Sequence, residues 1–100
     1  MEEILKFEWS NNKASLNLKQ HNVTFEEAST VFYNPLAKIF DDSRHSLSEV
    51  REIIIGNSIR GRLLFVAFTE RKNSIRIFSA RKVTKRERKE YEENNRNEIK

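Results

Sequence analysis

Two runs in the second half of the chain constrain the fold more than anything else in it. Residues 62–69 are apolar at positions that face both sides of an extended strand, so this strand belongs in the middle of a sheet with cover above and below. The turn Arg71-Lys72-Asn73 leads into residues 74–81, where apolar and polar side chains alternate. That period of two places Ile75, Ile77, Ser79 and Arg81 on one face and Arg76, Phe78 and Ala80 on the other. Upstream, residues 36–40 and 49–56 read as two further strands, and a short connection containing Asn57 and Gly61 joins the second to residue 62. The product is an antiparallel β-meander, which the rest of the chain must cover.

The cover comes from helices with readable ends. Residues 4–9 form a short strand, after which Ser10 caps a helix running to about Gln20, with Ala14, Leu16 and Leu18 as its apolar residues. Asn22 follows as a left-handed stop. Thr24-Phe25-Glu26-Glu27 is a capping box, with Val23 and Ala28 placed as its staple. This second helix turns Phe25, Ala28, Val31 and Phe32 inward and ends near Asn34, before Pro35. Thr84-Lys85-Arg86-Glu87 is another capping box and opens a helix to about Asn95, with Tyr91 nearly its only apolar residue before Ile99. A helix this polar has little to bury, and its end is loose or docked on a partner. The expected architecture is one α+β domain over residues 1–100, with 96–100 a loose tail and the helices on one side of the sheet.

Composition removes several function classes. The chain has no cysteine, which excludes disulfide scaffolds, thiolate zinc sites and thiol nucleophiles. No P-loop, dinucleotide fingerprint or nucleophile elbow occurs in the sequence. The longest apolar run is Leu63 to Phe68, far short of a membrane span, and no secretory signal opens the chain, so it reads as a cytoplasmic protein. Charge is uneven. Residues 1–50 carry 5 Lys and Arg against 8 Asp and Glu, whereas residues 60–89 carry 11 basic side chains against 2 acidic ones. Such asymmetry suits one polyanion-binding face, although a basic run on a helix is also what an ordinary solvated surface looks like.

Candidate chemistry is sparse. His21 and His45 are the only histidines, and neither has a second histidine at helical spacing. Asp41, Asp42 and His45 cluster in one segment that suits a hard cation, although such a composition is more often a plain polar loop. No metal or other cofactor is expected. An arginine at position 81, closing an alternating strand, calls for a partner: a phosphate, or an acid such as Glu87. Glu70 and Arg71 sit at the hairpin turn, at the other end of that strand. If the basic face holds RNA, cleavage requires no metal, because the 2′-hydroxyl attacks the adjacent phosphate in line. Guanidinium groups suit the charged intermediate, and Glu70 or His45 suits proton transfer. A non-catalytic nucleic-acid-binding module and a protein-interaction module fit the same charge pattern.

From Phe7 to Tyr91 the chain resembles the BrnT-type toxins of bacterial type II toxin–antitoxin modules. The matching pieces are Phe7-Glu8-Trp9 with Lys13, Lys19-Gln20-His21-Asn22-Val23 and Phe25-Glu26-Glu27-Ala28. They continue through Phe32, Pro35-Leu36, Asp42, His45-Ser46, Glu49 and Arg51 to Gly61-Arg62-Leu63-Leu64 and Thr69-Glu70-Arg71. The strongest segment is Ile75-Arg76-Ile77-Phe78-Ser79-Ala80-Arg81, followed by Thr84, Arg86-Glu87-Arg88 and Tyr91. Ser10, Asn22 and Ser43 depart from the pattern, the first two by exchanges that keep a cap or a left-handed turn. The resemblance implies a RelE-like fold and a metal-independent endoribonuclease that inhibits translation. It further implies a BrnA-type antitoxin with a ribbon-helix-helix domain, a toxin dimer within the complex, and contact with promoter DNA only through the antitoxin. It carries the functional arginines onto Arg71 and Arg81, with Glu70 beside them. With His45 these are the catalytic candidates, and Arg62, Arg76, Lys82, Arg86 and Arg88 are the candidate RNA contacts.

Overall fold

A computed structural model describes residues 4–42 and 49–99. In chain order the elements are β1 (Phe7–Glu8), α1 (Asn11–His21), α2 (Phe25–Thr30) with a 3-10 turn at Val31–Tyr33, β2 (Lys38–Asp41), β3 (Glu52–Asn57), β4 (Leu63–Arg71), β5 (Ser74–Lys82) and α3 (Lys85–Ile99). The five strands form one sheet in the order β1-β5-β4-β3-β2, which puts β4 in the centre as its two-sided apolar pattern requires. Strands β2 to β5 are the antiparallel meander; β1 adds a parallel edge, with Phe7 beside Ile75 and Glu8 beside Arg76.

One face of the sheet carries the main core. Val23, Phe25, Ala28 and Val31, at and around α2, pack on Ile54, Leu64, Val66, Phe68, Ile77 and Ala80. Rings lock edge to face across it, Trp9 on Phe25 and Phe32 on Phe68. Each fully buried large side chain here stabilises the fold by about 1.5–3 kcal/mol. The opposite face holds a smaller cluster of Ile55, Leu63 and Tyr91, with Ile53, Phe65 and Val83 against it. Tyr91 belongs to α3, so the helices do not all lie on one side as expected. The second face of β3 and β4 is itself apolar and draws α3 across through Tyr91.

Helix starts follow the predicted caps. The Ser10 hydroxyl accepts the Lys13 N–H, and Asn22 ends α1 at φ 57°. Leu16 and Leu18 remain exposed, and α1 is anchored instead by Asn17, which is buried. Its amide nitrogen donates to the carbonyls of Val23 at 2.9 Å and Ala80 at 2.8 Å, and its oxygen accepts the Ala80 N–H at 3.0 Å. Strand β1 pairs with β5 only at Ile75 and Arg76. Beyond it, Asn17 completes the exposed edge of β5 as a strand would.

At α2 the capping box is half formed. Thr24 accepts the Glu27 N–H at 3.0 Å, but the Glu27 carboxylate turns away to Arg62 and to the Ser58 hydroxyl at 2.7 Å. Hydrogen bonds from Arg62 hold this carboxyl below its ordinary value, against the opposing effect of burial. A depressed folded value means stability that is present above about pH 4.5 and lost as pH falls through the lower, folded value. Glu27→Gln is therefore expected to lower stability by about 1–2 kcal/mol at neutral pH. It should also flatten the acid limb of a Tm-against-pH curve; an acid limb identical to wild type would sink this assignment.

The largest departure from the alternation lies in β5. Ala67 pairs with Ser79, but its neighbour Phe68 pairs with Ile77, so Phe78 is an extra, bulged residue. A bulge reverses the parity of everything after it. Ile77 and Ala80 both enter the main core, and Arg81 does not share the face of Ile75 and Ile77 as the unbroken alternation predicts. It emerges beside Phe65, on the face away from the main core.

Candidate functional site

The bulge assembles an open surface on that second face. Cross-strand pairing lines up Ile53, Ala67 and Ser79 in one row and Ile55, Phe65 and Arg81 in the next. A depression of about 380 Å³ opens here, lined among others by Asp42, Arg51, Phe65, Phe78, Ser79 and Arg81. Two arginines in it lie over aromatic rings: the guanidinium carbon of Arg81 is 4.0 Å from the Phe65 centroid and that of Arg51 3.9 Å from that of Phe78. Lys13 places its ammonium 5.1 Å from the same Phe78 ring.

Arg81 is further held by Glu87, Nη1 to Oε1 and Nη2 to Oε2, both at 2.9 Å, and by the Lys82 carbonyl at 3.1 Å. Glu87 is in turn fixed by a complete capping box, accepting the Thr84 N–H at 2.8 Å while Thr84 accepts its own N–H at 3.1 Å. The Arg81 hydrogen bonds keep the Glu87 carboxyl below its ordinary range. This carboxylate is therefore ionised at neutral pH and a poor proton acceptor.

A second group stands at the hairpin end. Arg71 forks onto Glu49 at 3.0 and 3.2 Å and reaches Glu8 at 3.0 Å. Arg76 shares Glu8 at 3.1 Å, and Ser74 donates to it at 3.0 Å. The Ser74 and Arg76 hydrogen bonds lower the Glu8 carboxyl, and the Glu49 hydrogen bonds raise Arg71. Arg71 and the Phe65 partner of Arg81 lie six residues apart on β4, about 20 Å at the rise of a strand. Two arginine side chains do not close that gap, so Arg71 and Arg81 do not meet at one point.

The remaining predicted residues scatter. Glu70 is exposed and pairs across to Ile75, on the face opposite Arg71; it adds to the effect of burial in raising Glu52. Arg62 is turned into the fold by Glu27 and the Asn22 carbonyl. Lys82, Arg86 and Arg88 are exposed, the latter two beside Glu90 and Glu92 on α3. His21 is exposed at the end of α1, and His45 lies outside the described residues. Among those residues no group of three or more His, Asp or Glu is placed to hold a metal ion, and no helix is long and apolar enough to cross a membrane. Sequence reasoning gave no role to the Arg51–Phe78 stack. Its signal was present: Arg51 keeps the parity of Ile53 and Ile55, and so falls on the same face.

The sequence profile of a family described as the ribonuclease toxin BrnT of type II toxin–antitoxin systems matches residues 9–87. Among solved structures, the ribonuclease toxin BrnT of Brucella abortus is similar in fold. It is 19% identical with a TM-score of 0.62, over 82% of this chain and 100% of that one. No curated protein sequence matches the chain.

Proposed function

From the premise that the chain belongs to the BrnT family of ribonuclease toxins of type II toxin–antitoxin systems, we propose that it cleaves RNA on the open sheet face without a metal. The observation carrying this reading is the β5 bulge, which brings Arg81 out beside Arg51 over two aromatic rings. Guanidinium groups hold phosphate oxygens with directed bonds and keep their charge. The aromatic surfaces around them suit splayed, unpaired bases.

In this reading the 2′-oxygen attacks the adjacent phosphorus and the 5′-oxygen leaves, giving a 2′,3′-cyclic phosphate. One proton goes from the 2′-hydroxyl to a base, and one reaches the departing 5′-oxygen. Arg81 and Arg51 offset the charge that builds on the phosphorane, while Arg71 and Arg76 hold a more distant stretch of backbone. Proton transfer falls to His45 or Glu70, of which Glu70 lies on the face opposite Arg71 and Arg81. Translation falls as RNA is cut, in the cytoplasm. The antitoxin is a BrnA-type ribbon-helix-helix protein that binds a toxin dimer and supplies the promoter contact.

The test is purified chain on a structured RNA in EDTA, with the product ends analysed. We expect 2′,3′-cyclic phosphate or 3′-phosphate ends. Inducing the chain alone should arrest bacterial growth, and coexpressing the neighbouring reading frame should restore it. Intact RNA bound with a steep salt dependence, together with unimpaired growth, would instead mark a phosphate-gripping module.

A further inference from the structure

An arginine offers five N–H donors on three edges, and the contacts of Arg81 show which are taken. Nη1 gives both of its hydrogens, one to the Lys82 carbonyl and one to Glu87 Oε1; Nη2 gives one to Glu87 Oε2. Among the described residues, that leaves Nε–H and the second Nη2–H. These two lie side by side on one edge of the guanidinium and form a fork that matches two phosphate oxygens. Phe65 lies beneath the guanidinium carbon at 4.0 Å, and Glu87 fixes the direction of its end-on edge.

We propose that Glu87 is a positioning residue for the cleavage reaction: it clamps the end-on edge of Arg81, so that the Nε–Nη2 edge is presented to the scissile phosphate. This role rests on Arg81 being the phosphate-contacting arginine proposed above. Glu87 does not touch the substrate. It converts a flexible side chain with four rotatable torsions into a fixed donor pair, and a misplacement of about 1 Å at such a pair costs up to about 100-fold in rate. The capping box beneath it anchors the clamp to the backbone of α3. The ionised state that Arg81 imposes on Glu87 keeps the pair intact at neutral pH.

Glu87→Gln tests this cleanly, because a capping box accepts glutamine as well as glutamate at its fourth position. Helix α3 keeps its start, whereas the single amide oxygen cannot serve both guanidinium nitrogens. The expected result is a fall in kcat of about 10- to 100-fold, a KM unchanged within about threefold or lower, and a Tm near wild type. In an Arg81→Lys background, which has no planar fork to orient, Glu87→Gln should change kcat by less than about twofold. A purely structural Glu87 would lower Tm, leave kcat per folded molecule unchanged, and act equally in both backgrounds, which would overturn the proposal. Loss of cleavage in Arg81→Ala with full kcat in Glu87→Gln would also overturn it while leaving the ribonuclease reading intact. Cleavage undiminished in Arg81→Ala would overturn both.

Discussion

Arg81→Ala is expected to lower RNA cleavage by about 100- to 1,000-fold, the usual effect of deleting one donor to a developing oxyanion. The fold should survive it. The Arg81 and Glu87 side chains are 33% and 24% exposed, so losing their pair costs no more than about 1 kcal/mol. Losing the stack on Phe65 costs about 0.5–1 kcal/mol more. The measurement is initial cleavage rate against Tm for the same preparation. A rate loss under tenfold in a protein with wild-type Tm would move the reacting phosphate elsewhere on the face, with Arg51 the next arginine to replace.

The second large effect lies at the back of the sheet. Asn17→Ala is expected to destabilise the fold by about 3–5 kcal/mol, because it strands three buried backbone groups at once: the Ala80 N–H, the Ala80 carbonyl and the Val23 carbonyl. Each unsatisfied buried group costs about 1–3 kcal/mol, and entering water recovers part of the sum. For a domain whose whole stability is about 5–15 kcal/mol this is a large fraction. Asn17→Asp should be no better, since a carboxylate placed against two carbonyls meets them without donors. Denaturant unfolding at unchanged m-value measures the loss. A cost under about 1 kcal/mol would mean that β1 extends along β5 to replace the side chain.

Both residues show how far the sequence could be read. The apolar run at 62–69 predicted the central strand, and β4 is the centre of the sheet. Ser10, Thr24 and Thr84 predicted three helix starts, and all three cap where expected. The main core residues of α2 were legible from their spacing. Glu87 was legible as a partner for Arg81, but the bidentate geometry was not. Asn17 carries no local signal, because its partners lie on other elements and its position on α1 reads as one more polar residue. Glu27 reads as half of a capping box and becomes a buried ion-pair partner only because Arg62 arrives from 35 residues away.

The sequence by itself determined the element types, their order and most of their ends, since periodicity and capping are local properties of neighbouring residues. It also carried the basic second half and the family resemblance. Tertiary structure decided which side of the sheet each charge occupies. One bulged residue, Phe78, reverses the parity of β5, and side-chain alternation has no memory that survives an inserted residue. Whether β4 and β5 absorb that insertion depends on packing Ile77 and Ala80 together into one core. That is a contact between elements, and no local pattern in the chain encodes it.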